Sequence, residues 1–189
     1  MLHLQDDLLI GRGTERNCYR HPQDPTRCVK IAHNFKNNKQ QNRKDYEYFT
    51  KLERRGIDWS HLPRCHGWVE TNLGDGLVFD LLQDTEGSPL PRLDILLADG
   101  RLTMAEIATP LTQLHDYLHA NRIFTSDLRA SNIVCNLEKT PPRLFLIDGI
   151  GDRDFVKLAA HSRRLGRTKI ERQWGRFMKR LENLQAQSK

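Results

Sequence analysis

The sequence predicts an α+β fold in which strands come first and helices later. Three observations carry this. Short apolar runs bounded by turn residues fill the first 82 residues, helical spacing takes over from Leu93, and Thr103 with Glu106 forms a capping-box pattern ahead of an apolar run. With 189 residues, the chain is long enough for one compact domain or two small lobes.

Strands are predicted at residues 8–11, 18–20, 28–32, 68–70 and 77–82, with Pro22, Asp24 and Pro25 in one turn and Asn72, Gly74 and Gly76 in another. Residues 37–55 place Tyr46, Phe49 and Leu52 at helical spacing, and Gly56 ends that helix. The polar, turn-prone stretch 84–89 reads as a link, giving a lobe over residues 1–83 and a reduced lobe over 84–189 within a single domain. A short helix is predicted at 93–97 and a longer one from the Thr103 cap to about Ala120. Two strands follow at 133–135 and 144–147, separated by Pro141 and Pro142, and a basic helix runs over about 163–184.

Net charge is +6, unevenly distributed: residues 153–189 hold 11 Lys and Arg against 3 acids, so the basic excess lies in the C-terminal helix. Such a helix suits an anionic partner, or is a solvated face. No apolar run approaches the length of a membrane span, and the N-terminus lacks the basic-then-apolar order of a secretory signal. Cys18, Cys28, Cys65 and Cys135 are scattered without a CxxC, which fits a reducing cytoplasm.

The chemistry-bearing residues occur in an ordered series. Gly11 and Gly13 form a GxG turn between strands, where backbone amides can approach phosphates; a plain hairpin turn has the same pattern. A full GxGxxG is absent because Arg16 occupies the third position, and no GxxxxGK[ST] is present. Lys30 interrupts an apolar strand, and the following helix offers Glu47 as its ion-pair partner, with Asp45 and Glu53 as alternatives. Asp127 and Asn132 lie five apart around Arg129, just before a strand, which matches the kinase catalytic-loop pattern. Asp148 then stands at a strand end in Asp148-Gly149-Ile150-Gly151. Asn132 and Asp148 offer hard oxygens suited to magnesium.

Together these segments resemble the YrbL family, the PhoP regulatory network proteins, which are short bacterial proteins related to protein kinases. The resemblance spans nearly the whole chain and rests on Ile10 to Gly13, Val29-Lys30, Ser126 to Asn132 and Leu146 to Gly151. It implies a minimal protein-kinase-like fold, with an N-terminal antiparallel sheet carrying one helix and a mainly helical C-terminal lobe. It also implies ATP and Mg2+ as cofactors and phosphoryl transfer to an acceptor of open identity. Lys30 would hold the α- and β-phosphates, Asp127 would accept the acceptor's proton, and Arg129 would sit near the γ-phosphate. Asn132 and Asp148 would hold magnesium, and residues 79–82, including Asp80 and Leu82, would be the hinge whose backbone groups bind adenine.

Departures from the pattern stand beside it. Thr125 and Ser126 replace the His and Arg of HRD, no phenylalanine follows Asp148, and no APE follows. A nucleotide-binding module without turnover is the alternative. Two histidine groupings have metal-like spacing. His61, Cys65 and His66 read better as a turn before a strand. His115 and His119, four apart on a helix without the HExxH glutamate, read better as packing beside the catalytic loop.

Overall fold

The computed structural model describes residues 1–33, 39–151 and 163–187. Two compact units result, one of residues 1–59 and 63–89 and the other of residues 60–62 and 90–189.

In the first unit, five strands form one antiparallel sheet: β1 (Leu9–Arg12), β2 (Arg16–Arg20), β3 (Arg27–Ala32), β4 (Cys65–Thr71) and β5 (Gly74–Asp80), in the order β1-β2-β3-β5-β4. The helix α1 (Lys39–Arg54) lies between β3 and β4 in sequence, and Gly56, at φ +62°, follows its end. Residues 37 and 38 of the predicted helix lie outside the described residues.

Alternation along β3 divides the sheet's two faces. Val29 and Ile31 join Leu2, Leu4, Tyr19 and Val78 in one apolar cluster. Phe79 meets Phe49 of α1 edge to face at 5.1 Å. The N-terminal segment belongs to the first cluster because Asn72 holds it. The Leu4 amide donates to Asn72 Oδ1 at 2.7 Å, and Asn72 Nδ2 donates to the Leu4 carbonyl at 3.1 Å. Gly76 makes room on that face, since a Cβ there would lie 2.4 Å from Val29 Cγ1.

The first unit extends past the expected boundary at residue 83. The Asp84 side chain accepts from the Glu86 and Ser88 amides at 3.1 and 2.8 Å, and Gln83 bridges to Pro89. The turn therefore folds back on the first unit, and the chain leaves it only after Pro89.

The second unit contains α2 (Leu93–Ala98), α3 (Met104–Ala120), the antiparallel pair β6 (Ile133–Asn136) and β7 (Arg143–Leu146), and α4 (Arg163–Gln187). The Thr103 cap is formed in both directions with Glu106. Ile107, Leu114, Ile133, Leu146, Phe177 and Leu181 are fully buried. Ile170, Phe177 and Leu181 make an apolar stripe on α4, so the basic helix buries one face and presents Arg172, Arg176 and Lys179 on the other. The side chains of Arg163 and Arg164 lie outside the described residues. No described helix is long and apolar enough to cross a membrane.

All four cysteines are free thiols. Burial on β6 pushes the Cys135 thiol up to about 11 from an ordinary 9.0. The folded state therefore holds this proton more tightly than the unfolded chain does. The resulting stabilisation is complete below about pH 9 and is lost as pH rises toward 11, with a loss of about 2–3 kcal/mol. Urea denaturation of wild type and Cys135→Ala across that range checks this, and the variant should show the shallower alkaline decline.

Candidate functional site

In the first unit, β1 and β2 meet in a closed hairpin. The Gly13 amide donates to the Arg16 carbonyl at 2.8 Å, and a Cβ on Gly13 would lie 2.8 Å from that same oxygen. Glycine is needed here for the close approach of backbone to backbone, and the Gly13 N–H is used within the hairpin. Gly11 follows a register shift in β1 and pairs with Cys18.

Lys30 sits mid-strand on β3, between Cys18 of β2 and Leu77 of β5, with its ammonium 4.7 Å from the centre of the Phe79 ring. The expected Lys30–Glu47 pair is not formed. Glu47 is exposed and pairs with Arg43 at 3.0 Å, one turn back on the same helix face. The carboxylate that α1 turns inward is Asp45, which accepts from Arg16 Nη1 at 2.5 Å and from Gln41 at 2.9 Å. Asn42 joins them, accepting from Arg16 at 3.1 Å and donating to the Lys30 carbonyl at 2.9 Å. The reason is rotational. Asn42, Asp45, Phe49 and Leu52 share the buried face of α1, and Glu47, two residues beyond Asp45, falls on the opposite side. Arg16, read in the sequence only as a missing glycine, is thus a buried cation that ties the sheet to its helix.

Asp80 ends β5 within the segment expected to act as the hinge. Its carboxylate accepts from the Arg64 amide at 2.8 Å and lies 2.6 Å from His66 Nε2, and its own amide donates to the Arg64 carbonyl at 3.0 Å. These contacts tie the end of β5 to the start of β4. Leu82, just beyond the strand, is half-buried. His66 is accounted for by Asp80, and His61 by the Leu144 carbonyl at 2.7 Å, so each has a structural partner of its own. Trp68 is exposed and lies against Tyr46 at 5.9 Å.

In the second unit, the loop before β6 and the turn after β7 interlock. The Ser126 and Asp127 amides both donate to the Gly149 carbonyl, at 2.8 and 3.3 Å. Thr125 bridges to Ile150, and the Ile147 amide donates to the Asn132 carbonyl at 2.9 Å. Asn132 Nδ2 donates to the Asp127 carbonyl at 2.9 Å, so Oδ1 is the end left for a cation. Asp148 Oδ1 accepts from the Gly149 amide at 2.8 Å. An amide oxygen and a carboxylate, both half-buried, are a donor set that fits a hard cation such as magnesium.

The carboxylate of Asp127 is ion-paired with Arg129, and Arg180 of α4 approaches it at 3.8 Å. Arg180 also donates to the Leu128 carbonyl at 3.3 Å. Gln173 of α4 donates to the Thr125 carbonyl and accepts from the Thr125 hydroxyl at 3.1 Å. The sequence placed Arg180 only in a basic stripe and gave no sign of Gln173. Both act across about 50 residues, a separation that carries no local signal.

The strand order, the lysine on the third strand, the helix that follows it, and the loop-and-turn pair of the second unit define a small kinase-like α+β protein. Comparison with known proteins gives the family. The model of the PhoP regulatory network protein YrbL family matches residues 2–182, and the chain belongs to that family. The YrbL proteins of Escherichia coli K12 and Shigella flexneri are each 36% identical to it over 182 residues, covering 94% of this chain and 87% of theirs. Among solved structures, a mutant of the Mycobacterium tuberculosis PknI kinase domain is similar with a TM-score of 0.48 and 18% identity. That match covers 77% of this chain and 59% of the PknI chain.

Proposed function

We propose that the protein is an ATP- and magnesium-dependent phosphotransferase acting in the cytoplasm. The observation that supports this reading most directly is the interlock of residues 125–132 with Asp148 and Gly149, which collects Asp127, Asn132 and Asp148 on adjoining loops. Lys30 holds the α- and β-phosphates, with Gly11, Gly13 and Leu82 beside the nucleotide. Asp127 takes the acceptor's proton once Arg129 turns from it toward the γ-phosphate. Asn132 and Asp148 are the magnesium ligands. Bound magnesium would neutralise charge on the phosphates. The acceptor is a hydroxyl-bearing molecule, and the exposed Arg172, Arg176 and Lys179 of α4 suit an anionic one.

The test is transfer of label from γ-labelled ATP into cell-extract acceptors with magnesium present. Asp127→Asn should lower the rate by about 10²–10⁴-fold while nucleotide binding persists. Asp148→Asn should abolish the magnesium-dependent part of the thermal shift that ATP produces. Equal labelling by wild type and Asp127→Asn would remove Asp127 from the chemistry.

The ion pairing of Asp127 with Arg129, together with the loss of the HRD arginine to Ser126, favours a second reading, a nucleotide-binding regulatory module. ATP-induced stabilisation with no label transfer to any acceptor would select it.

A further inference from the structure

The face of α3 turned toward α4 carries two histidines that the phosphotransferase reading does not use. His115 and His119 are one helical turn apart, and their rings lie 4.6 Å centre to centre. Glu171 of α4 reaches both. Its Oε1 is 2.9 Å from His119 Nε2 and 3.4 Å from His115 Nε2. Both Nε2 atoms are buried, and neither makes a hydrogen bond of acceptable geometry despite those short distances. One ligand atom from each of the three residues lies within 4.8 Å of the others.

Three lone-pair donors converging in a partly dry site oppose one another unless something positive lies between them. A proton on an imidazole is one solution, but it should bring good N–H···O geometry, and that geometry is absent. A metal ion is the other. Bonds of about 2.0–2.1 Å in a tetrahedron place ligand atoms about 3.3 Å apart, so the present spread closes by side-chain rotation of about 1.5 Å. Two imidazoles and one carboxylate, with a fourth position for water, are a zinc-type donor set, and magnesium disfavours imidazole. His115 Nδ1 faces the Asp116 carboxylate at 3.5 Å, which favours a proton on Nδ1 and leaves the Nε2 lone pair for a metal.

We propose that His115, His119 and Glu171 form a Zn2+ site that clasps α4 to α3. Glu171 stands two residues before Gln173 and nine before Arg180, which hydrogen-bond to the loop at Thr125 and Leu128. Zinc occupancy therefore steadies the helix that supports this loop.

The experiment is calorimetric titration of the untagged, chelator-stripped full chain with ZnCl2, with MgCl2 as control. Wild type should bind one Zn2+ saturably at this site and gain thermal stability with zinc. Glu171→Ala and His119→Ala should each weaken that binding by at least about 100-fold, beyond the 10–100-fold loss from removing an outer partner. Glu171 is 58% exposed and alanine favours helix, so Glu171→Ala keeps the fold even if His119→Ala does not. No saturable zinc binding by wild type, or equal zinc affinity in wild type and Glu171→Ala, would overturn the proposal.

Discussion

Gly149→Ala is expected to destabilise the second unit by about 2–4 kcal/mol and to disorder the loop 125–132. The backbone at Gly149 has φ +69°, a region that costs any residue with a Cβ. Space is the larger obstacle. The added Cβ would lie 2.3 Å from the Asp127 carbonyl oxygen and 3.0 Å from Asn132 Nδ2. Those atoms cannot retreat without breaking the bonds from Ser126 and Asp127 to Gly149 and from Asn132 to Asp127. Urea denaturation measures the loss, and hydrogen exchange at the Ile147 and Gly151 amides should localise it to this interlock. A cost below about 1 kcal/mol would show that loop and turn move independently.

Arg16→Ala is expected to cost about 3 kcal/mol or more, because it removes a guanidinium from a carboxylate inside a buried site. Arg16 and Asp45 are 7% and 5% exposed, and the Asp45 carboxylate cannot turn to solvent without moving α1. Replacing both partners by apolar residues of similar size, Arg16→Met with Asp45→Leu, should recover most of the loss, since no desolvated charge is then left behind. A double-mutant cycle followed by chemical denaturation decides this. If the double variant is as unstable as Arg16→Ala alone, the cost lies in packing and not in charge. By contrast, Glu47→Ala should change stability by less than about 0.5 kcal/mol, as expected of an exposed i,i+4 pair.

The contrast between Asp45 and Glu47 shows where sequence reading stops. The helix itself was legible, since Phe49 and Leu52 carry its period and Gly56 its end. Which acidic residue turns inward depends on which helix face is buried, since Asp45 and Glu47 point about 160° apart. Packing of Phe49 against Phe79 and the sheet buries the face that Phe49, Leu52 and Asp45 share, and Glu47 is left outside it.

What the sequence determined alone is everything written in short-range stereochemistry. That includes the strand-then-helix order, the Thr103–Glu106 cap, the Asp-Gly turn at the end of β7, and the five-residue spacing of Asp127 and Asn132. Each of these is settled by atoms a few bonds apart, so a handful of neighbouring residues specifies it. Tertiary structure alone decided that Asn72 draws the N-terminus onto the sheet and that Arg16 meets Asp45. It also decided that Gln173 and Arg180 reach the loop at Thr125 and Leu128 and that Glu171 faces two histidines. These contacts join residues about 30 to 70 positions apart, and they form only when burial of apolar faces brings distant segments together.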